Sequence, residues 1–131
     1  MIGLRDLKAV SRGRLKDAEV LQSAGRFDGA FYMSGYAIEI ALKARACRAL
    51  KWEGFPNTTS EFTALQSFRT HNLAVLLKLS GTGSKIKSMF TSEWSVVLDW
   101  NPESRYYKIG TTTRQDAINM IDAAKSIVSA L

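Results

Sequence analysis

Phe27-Asp28-Gly29-Ala30-Phe31-Tyr32-Met33-Ser34-Gly35-Tyr36-Ala37-Ile38-Glu39-Ile40-Ala41-Leu42-Lys43-Ala44-Arg45-Ala46-Cys47-Arg48-Ala49-Leu50-Lys51 decides the fold. Phe31, Gly35, Ile38, Leu42, Ala46 and Ala49 recur every three or four residues and share one side of a helix. In the first half the other side is also apolar or small, with Ala30, Met33, Ser34, Ala37, Ile40 and Ala41. A helix apolar all round must be covered all round. The small residues Gly35, Ala37 and Ala41 invite close approach by a neighbouring helix. Towards the end Lys43, Arg45, Arg48 and Lys51 spread over more than half the circumference, with no acidic residue from Ile40 to Trp52.

Helical periodicity continues on both sides. Leu4 to Ala24 carries Leu4, Leu7, Val10, Ala18 and Leu21 on one face, cations on the other, and Gly25 as its stop. Beyond the loop Lys51–Ser60, Thr58 with Glu61 reads as a capping box opening a short helix, Glu61 to Phe68. A helix from His71 to Leu79 closes at Gly81, another runs from Ser84 to about Leu98, and Asp99 to Gly110 is irregular. A last helix spans Thr113 to Leu131, with Thr112 and Gln115 as a second capping box. No segment alternates with the period of a strand. The prediction is one all-α domain over residues 1–131, an up-and-down antiparallel bundle of four to five helices.

With 131 residues, 18 Lys plus Arg and 12 Asp plus Glu, the chain carries a formal +6, which admits nucleic acid as a partner and equally a solvated helical surface. The lone Cys47 and lone His71 exclude an internal disulfide and a His-rich zinc site; no metal or cofactor is expected. No apolar run is long enough for a membrane helix, and the start has neither a signal-peptide layout nor a myristoylation glycine, so a cytoplasmic protein is expected.

Glu39, beside the apolar stripe, calls for a partner, and Lys43 one turn later is placed to pair with it. The functional alternative makes Glu39 a general base or a metal ligand, although no second carboxylate has inward-facing spacing with it. His71 is the candidate for acid–base chemistry and Arg69 for holding a phosphate, against a plain helix-opening role for Thr70 and His71. Gly81-Thr82-Gly83-Ser84-Lys85 lacks the strand and the ending of a phosphate-cradling loop and reads as a turn.

Ala18-Glu19-Val20-Leu21, then Gly25 through Ala44, His71-Asn72-Leu73 with Leu76-Leu77, and Trp100 through Glu103 to Arg105-Tyr106 together resemble a HEPN domain. This small all-α family is often encoded beside minimal nucleotidyltransferases in prokaryotes. The resemblance implies a homodimer, and in members that are ribonucleases a dimer-cleft site of an arginine followed four to six residues later by a histidine. Here Arg69 and His71 are separated by one residue, and Arg105, in the family's Arg-Tyr position, has no histidine after it. The expectation is therefore a HEPN-type binding module, partner of a nucleotidyltransferase in a toxin–antitoxin or defence pair. Its RNA or nucleotide phosphates would be held by Lys43, Arg45, Arg48, Arg105 and Tyr106. The alternatives are a metal-independent ribonuclease toxin using His71 with Arg105 or Arg69, and a structural dimer with no nucleic-acid role.

Overall fold

A computed structural model describes every residue from Met1 to Leu131. Helices dominate: α1 (Leu4–Ser23), α2 (Phe27–Leu50), α3 (Leu73–Ser80), α4 (Gly83–Met89), α5 (Thr91–Val97) and α6 (Arg114–Ala130), with 3-10 turns at Gln66–Phe68 and Pro102–Tyr106. The all-α reading holds, with six helices in place of four to five.

The expected burial of Phe27–Lys51 is found in the middle of the helix and not at its end, where Ala49 and Leu50 are exposed. Half of the α2 residues are buried, among them Ala30, Ser34, Gly35, Ala37, Ile38 and Leu42. α1 packs antiparallel along α2: Gly29 meets Leu21, the Ser11 hydroxyl donates to the Ala37 carbonyl at 2.7 Å, and Leu7 clusters with Ala44. The main core gathers Leu15, Ile38 and Leu42 with Leu76 and Leu77 of α3, Trp94 and Val97 of α5, and Met120 and Ile127 of α6.

Connectivity departs from a simple up-and-down order. The segment between Lys51 and Thr70 carries the chain back along α2, so α3 runs parallel to it, from His71 at Glu39 to Gly81 against Ala49. α6 also runs alongside α2 in the same direction. Asp28 at the start of α2 accepts from Gly110 N and Thr112 N just before α6, and the two C-terminal halves share a groove.

Four local expectations are corrected. Glu61–Phe68 does not form an α-helix. Thr58 and Glu61 do pair, but Leu65 N and Phe68 N bond three residues back, in a segment whose Ser and Thr hydroxyls compete with a helical ladder. The helix expected over Ser84–Leu98 breaks at Phe90, which sits at φ −129°, ψ 41°. There the Thr91 hydroxyl bonds the Lys87 carbonyl at 2.6 Å, a back-bond that bends helices. The last capping box is Thr113 with Asp116, one register later than expected. Finally, Ile2–Gly3 (β1) pairs antiparallel with Gly54–Phe55 (β2), a two-residue ladder too short to leave a period in the sequence.

No helix is long and apolar enough to cross a membrane.

Candidate functional site

At 100° per residue Tyr32, Tyr36, Glu39 and Lys43 fall within about 60° on one side of α2. Tyr36, Glu39 and Lys43 line a cavity of about 380 Å³ together with Val10 of α1, Phe55 through Thr59 and Phe62 of the returning segment, and Arg69 and His71. Four residues singled out from the sequence thus converge on one place: Glu39, Lys43, Arg69 and His71.

Glu39 is the hub. Its side chain is 1% exposed, whereas that of His71 is 64% exposed. The Glu39 carboxylate accepts from His71 Nδ1, and Lys43 Nζ lies 3.8 Å from the same oxygen. An ionised carboxylate only accepts, so Nδ1 carries the hydrogen of this contact, and in the neutral imidazole that leaves Nε2 as an acceptor. A buried carboxylate requires such partners, and Glu39 has two of opposite character: a cation and an imidazole. Lys43 was expected; the imidazole was not, because 32 residues separate the pair in sequence. The register that joins them comes from Asn72, which caps α3 by accepting from Val75 N at 3.1 Å, leaving His71 just outside the helix. His71 thus stands one position before the cap of α3, beside Thr70, whose hydroxyl accepts from Asn72 N at 3.0 Å.

Aromatic rings steady the cations. Lys43 Nζ lies 5.4 Å from the centroid of the Phe55 ring, and the Arg69 guanidinium 5.7 Å from that of Phe62. The Tyr36 ring stacks on Tyr32 with centroids 6.2 Å apart. Burial, reinforced by the Glu39 charge, pushes the Tyr36 phenol above its ordinary pKa, so it stays a proton donor at the cavity wall. Tyr36 was not singled out from the sequence, although its spacing to Glu39 and Lys43 on one helical stripe is the signal that finds it.

The other expected residues lie elsewhere. Arg45 and Arg48 line a second groove, between α1, α2 and α6. Arg105 sits on the exposed 3-10 turn, donating to the Pro102 carbonyl at 3.0 Å and covering the Tyr106 ring at 4.7 Å. The phenols of Tyr106 and Tyr32 hold the Arg105 guanidinium above its ordinary pKa. Tyr32 precedes Glu39 by seven positions, about 10 Å along the helix. Arg105 is tied to Tyr32 and Tyr106 and His71 to Glu39, and His71 shares a further cavity with Trp100, Asn101 and Pro102 of the turn from which Arg105 projects.

No group of three His, Cys, Asp or Glu side chains is gathered in a way that would hold a metal ion. The geometry provides an oriented imidazole, two cations and a phenol around a cavity, a set suited to an anionic oxygen ligand such as a phosphate. No protein-family model, no curated protein and no solved structure matches this chain.

Proposed function

We propose that this chain is a HEPN-type module that holds the phosphate groups of RNA or a nucleotide in the cavity at Glu39, Lys43, Arg69 and His71. It acts as a homodimer beside a partner protein, and the partner that the resemblance implies is a nucleotidyltransferase. The observation that carries the reading is the buried Glu39 orienting an exposed His71 with Lys43 and Arg69 beside it. Carboxylate burial has a desolvation cost, and orienting a ligand-binding imidazole accounts for retaining it.

The test is fluorescence anisotropy of a labelled oligouridylate and of a labelled nucleotide across a salt series. Phosphate contacts give affinity that falls steeply with salt. Lys43→Ala and Arg69→Ala should each weaken binding by about three- to tenfold. Absence of salt-dependent binding of either probe would leave the structural-dimer reading in place and remove this one.

One feature favours a second reading. An imidazole held through Nδ1 by a carboxylate presents Nε2 as a general base, the arrangement used to activate hydroxyl groups. In RNA cleavage His71 Nε2 would take the 2′-hydroxyl proton while the 2′-oxygen attacks phosphorus. The P–O5′ bond would break as the 5′-oxygen takes a proton from water, giving a 2′,3′-cyclic phosphate and a free 5′-hydroxyl, and His71 would return its proton to the hydroxide so formed. Arg69 would stabilise the charge on the phosphoryl oxygens, worth about 10²–10³-fold. In that case His71→Ala abolishes cleavage while retaining most RNA binding, and Glu39→Gln lowers the rate more than the affinity. Undiminished cleavage in the His71→Ala protein overturns the mechanism.

A further inference from the structure

The groove on the far side of the α1/α2 seam lies about 140° around α2 from the Glu39 cavity. It encloses about 360 Å³. Its floor is aliphatic, with Leu15, Ala41, Ala44 and Val128, and its rim carries Lys8, Arg12, Arg45 and Arg48. These four cations have no carboxylate partner; the fifth, Lys125, is held by Glu19 at 2.8 Å. Neither an aromatic ring nor an acidic side chain lines the groove.

We infer that this groove docks an acidic amphipathic helix of a partner protein, aliphatic side down between α1, α2 and α6. Charge complementarity selects an anionic occupant, and the composition of the floor selects its type. Bound single-stranded RNA stacks its bases on aromatic rings and is read by hydrogen-bonding groups. Beneath the cationic rim the floor offers bases only aliphatic carbon and two serines, of which Ser11 already donates to the Ala37 carbonyl. Exposed ion pairs alone contribute little each, so an occupant lacking apolar side chains would bind weakly. The alanines Ala41 and Ala44 lower the floor where three helices meet, which suits the side chains of a fourth.

The probe is a fluorescein-labelled synthetic peptide of about four helical turns, with leucine along one face and glutamate on the other. It is titrated against the full chain by anisotropy, beside an oligouridylate of equal charge. The expected result is saturable peptide binding. Two charge reversals, Arg45→Glu with Arg48→Glu and separately Lys8→Glu with Arg12→Glu, should each weaken it at least about tenfold. A peptide of the same composition with scattered leucines should lose at least about tenfold as well. The His71→Ala protein should bind the peptide like wild type, which separates this groove from the Glu39 cavity whatever happens there. The second pair of reversals lies on the exposed face of α1, so a folding defect of the Arg45 variant does not decide the matter. Absence of saturable peptide binding, indifference to both reversals, or equally tight oligouridylate binding lost in the same variants would overturn the inference.

Discussion

Gly35 and Trp100 show how much a single position can carry. A Cβ at Gly35 would fall 2.2 Å from Cδ1 and Nε1 of the Trp100 indole, far inside contact distance. The indole is fixed there, since its Nε1 donates to the Tyr32 carbonyl at 3.1 Å. Gly35→Ala should therefore destabilise the chain by about 2–3 kcal/mol, read as a lowered urea midpoint at unchanged slope. In the sequence Gly35 signals close approach by something, and a neighbouring helix is the natural candidate. The visitor is a side chain from the irregular Asp99–Gly110 stretch, which has no periodicity from which to read its path. His71 poses the same difficulty: its residue type marks it, but its contact with Glu39 depends on where the return loop ends. Cys47 is simpler. Burial pushes its thiol above the ordinary value, so thiol reagents should label it slowly in the native chain and rapidly in denaturant.

Among elements, the long helices and α3 were readable and the other short ones were not. The boundaries expected for Phe27–Lys51 and Leu4–Ala24 lie within a residue of those observed, because apolar spacing marks both, and Gly25 after the first and Gly81 after α3 mark their ends. α2 stops at Lys51, which takes φ 57° without being glycine. Lys51→Gly should raise stability by up to about 1 kcal/mol, partly offset by the greater freedom of the unfolded chain; thermal unfolding checks it. In the seven-residue α4 and α5 and in the 3-10 turns the apolar spacing is too short to mark an end, so they depend on individual hydroxyl and ring contacts. The tie between α2 and α6 is one such contact made by a charge. Hydrogen bonds from Gly110 N and Thr112 N, with Arg26 nearby, hold the Asp28 carboxyl below its ordinary value of 3.8. A group depressed on folding contributes stability above its unfolded value and loses it as pH falls through the folded one. The contribution should be intact at pH 5, fade below about pH 4, and amount to about 1 kcal/mol for this half-buried side chain. In Asp28→Asn the melting temperature should be lower at pH 6 and its further fall on acidification shallower than in wild type. Parallel acid limbs in the two proteins would show that the tie contributes nothing.

At the scale of the molecule, the α1/α2 pair separates two cation-bearing clefts, and the formal +6 resolves into places with different neighbours. The clefts do not account for the apolar side chains left in water, which concentrate where the chain is irregular: Tyr106 is 76% exposed, Tyr107 53% and Ile109 83%. Three large apolar residues within four positions, on a segment tied down on either side by the Trp100 and Asp28 hydrogen bonds, form an exposed patch of the kind proteins use to associate. A homodimer of the kind proposed would find an apolar contact here, and Arg105, stacked on Tyr106, would be carried to the edge of that contact. In sedimentation velocity across the micromolar range, wild type should run as a dimer. Tyr106→Asp combined with Ile109→Asp should shift it to monomer by weakening association at least about tenfold. Because both side chains are so exposed within one chain, the substitution should leave the monomer's intrinsic fold intact by circular dichroism. Two outcomes divide the question: a wild type that is monomeric throughout removes the homodimer, whereas a dimer insensitive to the substitution keeps it and moves its interface away from residues 106–109.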